Sequence, residues 1–75
     1  MPITEEVKQQ IYIFIKGRYI DGRRVGTRSI MLRGYELGIS KQDVGYIIQL
    51  LKNEKKIVST KTYGWIPLDY GVRVR

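Results

Sequence analysis

Three residues, Gly38, Ile39 and Ser40, separate two stretches whose apolar side chains recur at helical spacing. On one side Ile30, Gly34 and Leu37 stand at i, i+4 and i+7, and on the other Val44, Ile47, Ile48 and Leu51 form a single stripe. Gly38 suits the left-handed position that ends a helix. Ser40-Lys41-Gln42-Asp43 has the S-x-x-D form of a capping-box variant, in which the serine oxygen accepts a backbone N–H of the first turn. Ile39, between these two signals, is the residue expected to plug a core at the turn. Two helices joined this tightly turn sharply against each other and share one apolar seam.

The rest of the chain fits around that pair. Thr4 is a suitable N-cap, with Glu5 and Glu6 in a first turn where negative charge suits the helix dipole. Val7, Ile11, Phe14 and Ile15 then mark the inner face of a first helix, expected over about 4–17 and stopped by Gly17. Residues 17–26 hold three glycines and the Asp21-Gly22 turn pair, and read as an arginine-rich loop ending in a short strand through Val25. Thr27 is the expected cap of helix 2, over about 27–37, and helix 3 is expected over about 40–54. Two β-rich runs, Ile57 to Thr62 and Trp65 to Leu68, flank Tyr63-Gly64 and predict a hairpin over about 56–68. Pro67 lacks a ladder donor and belongs on an edge strand. The tail 69–75, with Val72-Arg73-Val74-Arg75 alternating, is compatible with an added strand, a dimer contact or a basic arm. The expected fold class is α+β in one domain over residues 1–75, since chains divide into domains well above this length.

Cysteine and histidine are both absent. That excludes disulfides, thiolate metal sites, imidazole bases and Ser-His-Asp triads built from this chain. The carboxylates Glu5, Glu6, Asp21, Glu36, Asp43, Glu54 and Asp69 are scattered, mostly where helix starts or solvated faces use them. The chain is therefore expected to be no enzyme and to need no cofactor or metal. Its longest apolar run, Ile11 to Ile15, is far short of the roughly 20 residues that span a bilayer. Met1-Pro2-Ile3-Thr4-Glu5-Glu6 is acidic where a secretory leader is basic. A cytoplasmic protein without membrane partners is expected.

The net charge of +7 is unevenly placed. Residues 16–33 carry +5, from Lys16, Arg18, Arg23, Arg24, Arg28 and Arg33 against Asp21, and residues 52–75 carry +4. The two remaining segments, 1–15 and 34–51, are each at −1. Basic blocks of this kind favour a polyanionic partner.

Helix, helix, short turn, helix, hairpin, with Leu37-Gly38-Ile39-Ser40 followed by Val44, Ile48, Leu51 and Ile57-Val58, resembles a winged helix-turn-helix DNA-binding domain over about residues 4–68. Gly34 stands where that family keeps a small residue for close helix approach, and Lys55-Lys56 stands where many members have a glycine and an apolar residue. The size and the bias toward Ile, Tyr, Lys and Arg also resemble small regulators of archaea and their viruses. The resemblance implies a three-helix winged helix-turn-helix with a C-terminal hairpin wing, and a sequence-specific double-stranded DNA-binding transcription regulator.

Under that resemblance helix 3 is the recognition helix and enters the major groove. Its outward residues Gln42, Tyr46 and Gln49, with Ser40 at its start, are the expected base readers. Glutamine pairs with adenine N6 and N7, and Tyr46 suits a phosphate or a thymine methyl. Gly45 leaves room for close approach. Arg23, Arg24, Arg28, Lys41 and Asn53, with Lys61, Thr62 and Tyr63 at the wing tip, are the expected phosphate or minor-groove contacts. Trp65, Tyr12, Tyr19, Tyr35 and Tyr70 are read as packing residues rather than stacking platforms for single strands. Ile13 faces away from the helix 1 core face with Tyr12 on its flank, and these two are the expected contacts of a homodimer on a palindromic site. No small-molecule ligand is implied. The alternative function is a winged helix used for protein–protein interaction in a replication, transcription or virion complex, followed by an RNA-binding or structural role.

Overall fold

The computed structural model describes residues 4–68, and the tail 69–75 with Tyr70 lies outside the described residues. Three helices, α1 (Glu5–Ile20), α2 (Thr27–Glu36) and α3 (Lys41–Asn53), are followed by strands β1 (Ile57–Thr60) and β2 (Gly64–Pro67). The strands pair antiparallel with Ile57 opposite Pro67, Val58 opposite Ile66, Ser59 opposite Trp65 and Thr60 opposite Gly64. The expected α+β layout is present, three helices packed with one antiparallel hairpin. In a two-stranded sheet each strand is an edge, so Pro67 withholds a donor that the ladder does not need.

Side-chain caps start two of the helices. Thr4 Oγ1 accepts Val7 N–H at 3.2 Å and Ser40 Oγ accepts Asp43 N–H at 3.2 Å. Helix α2 differs from expectation: Gly26 is its N-cap, without a side-chain hydrogen bond. Thr27 is already helical, and its hydroxyl instead accepts Trp65 Nε1–H at 3.2 Å, tying the start of α2 to β2.

All three helices end the same way. In a Schellman ending the second residue past the cap donates back to the third residue before it. Arg23 donates to Arg18 O at 2.9 Å, Ile39 to Gly34 O at 2.8 Å and Lys56 to Leu51 O at 2.9 Å. The left-handed positions they require are Gly22, Gly38 and Lys55, at φ +74°, +78° and +60°. The first of these corrects the expected end of α1. Gly17 does not stop the helix, because a glycine inside a helix costs only about 1 kcal/mol, and the chain continues one turn to a terminator it can use at Gly22. At the end of α3 a lysine, Lys55, occupies a left-handed site that glycine fits without strain.

The core is built from Ile11, Ile15, Val25, Ile30, Val44, Ile47, Leu51 and Ile57, all essentially inaccessible, with Ile39 closing the turn. These include every inner-face residue expected of α3 except Ile48, which is buried almost as fully. On α1 the inner face is rotated from the expected 7-11-14-15 toward 8-11-12-15. Val7 and Phe14 are only partly buried, whereas Tyr12 and Lys8 are 6% and 8% exposed. Lys8 tolerates burial because Glu54, just past α3, accepts from its ammonium at 2.7 Å while Glu5 lies at 2.9 Å. Hydrogen bonds donated to Glu54 and then to Glu5 hold Lys8 above the ordinary lysine value, and Lys8 holds Glu5 below the ordinary carboxylate value.

The short strand expected through Val25 is reduced to a single parallel bridge to Gly64. Its N–H donates to Tyr63 O and its carbonyl accepts Trp65 N–H, both at 2.8 Å. A side chain on Gly64 would overlap that carbonyl, so the basic loop is zipped to the hairpin at a position only glycine fits.

Candidate nucleic-acid interface

The outward stripe of α3 follows from burying Val44, Ile47, Ile48 and Leu51. At about 100° per residue the opposite side is left to Gln42, Gly45, Tyr46, Gln49 and Asn53. Gln42, Tyr46, Gln49 and Asn53 are all exposed, Tyr46 by 55% despite its large ring. Gln49 Nε2 donates to Asn53 Oδ1 at 3.5 Å, a long bond that leaves most of the polar capacity of both residues open. Ser40 has a structural task, since its oxygen caps α3, but its hydroxyl hydrogen remains a donor. Gly45 sits within the stripe, and a Cβ there would meet no atom within 4 Å. Nothing inside the protein explains a glycine at a helix position where alanine is better by about 1 kcal/mol.

The basic residues fall into two groups. Arg28, in the first turn of α2, and Lys41, the first residue of α3, line one groove together with Ser40. Arg23 and Arg24 belong to the loop zipped by Val25 to Tyr63, which places them beside the hairpin turn of Lys61, Thr62 and Tyr63. Two devices rigidify this second group. Thr60 Oγ1 donates to Gly64 O at 2.9 Å and accepts Tyr63 N–H at 3.1 Å, closing the turn. The Tyr63 ring meets Tyr19 edge-on at 6.3 Å, docking the turn on the end of α1. Arg18, stacked over Phe14 at 5.6 Å, donates to Arg24 O at 3.3 Å and holds the loop from below.

Among the described residues the ion pairs join Lys8 to Glu5 and Glu54, Arg33 to Glu36, and Lys56 to Glu54. None of Arg23, Arg24, Arg28, Lys41 or Lys61 takes part, and all five are exposed. Their charge is therefore available to an external anion. The hairpin turn and the α3 stripe remain separate patches, joined by no hydrogen bond or ring contact among the described residues.

Two expectations are corrected. Tyr12 belongs to the core, because α1 presents residues 8 and 12 inward, so the outer face of α1 is carried by Ile13 with Ile20 seven residues on; both are more than half exposed. Tyr35 is not a packing residue: it is 81% exposed, because Ile30 and Gly34 form the buried side of α2. With Met31 and Leu32 it makes a second apolar strip, which the i, i+3, i+4, i+7 spacing of Arg28, Met31, Leu32 and Tyr35 already contains.

Among the described residues no helix is long and apolar enough to cross a membrane. Compared with known proteins, the chain matches no family model, no curated protein and no solved structure.

Proposed function

We propose that this protein is a sequence-specific double-stranded DNA-binding regulator with a winged helix-turn-helix fold. Helix α3 enters the major groove, and the hairpin turn holds the flanking backbone. The observation that carries this reading is the α3 stripe itself: Gln42, Gly45, Tyr46 and Gln49, an amide-rich surface interrupted by a glycine that serves no internal contact. A backbone or base edge pressed against Gly45 gives that glycine a purpose. The five unpaired cations supply the phosphate contacts that fix register, while the stripe supplies discrimination. The protein acts inside the cell as a homodimer, with Ile13 on the outer face of α1 at the contact.

The test is to select duplexes from a random pool with the wild-type protein, then measure binding of Gln42→Ala/Tyr46→Ala/Gln49→Ala to selected and random DNA. Loss of preference with random-DNA affinity retained supports the reading, and retained preference removes α3 from the role. The second reading, a protein-interaction module, draws on exposed Ile13 and Ile20, and is favoured if no duplex is selected.

A further inference from the structure

The strip of Met31, Leu32 and Tyr35 forms one wall of an open groove of about 490 Å³, floored by Ile39 and lined also by Arg28 and Lys41. That volume lies in the range of small-molecule sites, which are mostly apolar with a few placed polar groups. Leu32 and Tyr35 are 61% and 81% exposed, so the strip is uncovered. Arg28 stands at the N-terminal end of the strip, and Lys41 enters from the turn that follows α2. No acidic side chain lines the groove. Neither cation is in an ion pair among the described residues. Seven residues of helix separate Arg28 from Tyr35, about 10 Å, the length of an aryl ring carrying a short chain.

We infer that this groove binds a free small-molecule carboxylate with an aryl or alkyl body, and that its occupancy releases DNA. The carboxylate is held by Arg28 or Lys41 and the body lies on Met31, Leu32 and Tyr35. Two observations select this occupant. The rim is cationic, so an anion is favoured over a neutral or basic ligand, and the apolar strip gives a bare phosphate nothing to bury. The coupling rests on the DNA reading proposed above, because Arg28, Ser40 and Lys41 line the groove and are also among the expected DNA contacts. A ligand that neutralises them binds the free protein better than the DNA complex, which is the differential affinity that regulation needs. The small chain then carries its own effector site.

The probe is 4-phenylbutyrate, with 4-phenylbutanol and acetate as the neutral and bodiless controls, followed by amide chemical shifts of the full chain at fixed ionic strength. The single Trp65 bonds Thr27 at the groove edge, so its indole resonance is a second reporter. Saturable shifts confined to residues 27–41 and Trp65, with Kd about 1 mM or tighter and at least tenfold weaker for the alcohol, support the site. Arg28→Gln/Lys41→Gln and, separately, Leu32→Ser/Tyr35→Ser should each weaken phenylbutyrate at least fivefold. These positions are exposed, and an unchanged amide spectrum elsewhere verifies that each variant is folded. Absence of shifts at 10 mM, equal binding of the alcohol, or shifts of the same residues on simple dilution, the mark of a second copy, overturns the proposal. The coupling is read separately on selected duplex, where saturating phenylbutyrate should raise the duplex Kd at least fivefold and acetate should not. Equal effects of the two overturn the regulatory part. A protein that binds no duplex but shows the shifts overturns the DNA reading and leaves the groove standing.

Discussion

Gly34 of α2 lies directly against Val44 of α3: a Cβ on Gly34 would overlap Val44 Cγ2. Val44 is fully buried and β-branched, so rotating its side chain out of the way is costly. This contact sets how closely the two helices approach, and so fixes the angle at which the α3 stripe is presented.

Gly34→Ala therefore destabilises the fold although it improves helix propensity. Overpacking costs typically about 1–3 kcal/mol and the propensity gain returns about 1 kcal/mol, so a net loss of up to about 2 kcal/mol is expected. Urea denaturation measures it. In a Val44→Ala background the loss should vanish or reverse, a coupling that a double-mutant cycle reads directly.

Gly45 and Gly17 are both helical glycines with open space around them. Alanine at either should raise stability, by about 1 kcal/mol each. Only Gly45→Ala should also weaken binding to selected duplex, by tenfold or more, because only Gly45 lies on the α3 stripe proposed to meet the DNA. Equal duplex affinity for Gly45→Ala and wild type would mean that nothing approaches that backbone closely.

Lys55 holds the left-handed end of α3 at φ +60°. Lys55→Gly relieves that conformation at some cost in unfolded-chain entropy, and a gain of about 0.5–1 kcal/mol is expected in chemical denaturation. A loss of stability would show that the lysine side chain contributes more than its backbone costs.

Glu54→Gln should lower the melting temperature at neutral pH, since it takes a charged partner from buried Lys8. Lys8 is raised in the folded state by Glu54 first and Glu5 second. Its contribution is thus complete below the unfolded lysine value of about 10.4 and lost as pH rises through the folded value. The gap between wild type and Glu54→Gln should close in strong alkali. The Glu5 contribution runs the other way: it is present above about pH 4.3 and lost as pH falls through the lowered folded value.

The turn between α2 and α3 was legible because it is written in local chemistry. Gly38 takes the left-handed position, Ile39 is buried at the turn and Ser40 caps α3, whereas Asp43 contributes its backbone N–H to that cap. The register of α1 was less legible, because burial of Lys8 relies on Glu54, 46 residues away, as well as on Glu5, and no periodicity of α1 contains the distant partner. Gly17 misled for a related reason: a glycine ends a helix only where the backbone can turn left-handed, and that site came at Gly22. The cations and the α3 stripe were readable from charge and spacing. The groove was in the sequence too, at Arg28, Met31, Leu32 and Tyr35, but one helix showing two apolar faces reads as one until the buried face is known.

On the function proposed above, α3 and the exposed cations bind duplex DNA by sequence. Fluorescence anisotropy across a salt series, on selected duplex, random duplex and single strand, tests it most directly. A preference of about 10³-fold or more for selected duplex is expected, with log K falling against log salt at a slope of about −4 to −8, as when several phosphates are contacted. Equal binding to all three ligands, with release by about 0.2 M salt, would contradict it and leave the charge of +7 acting without sequence.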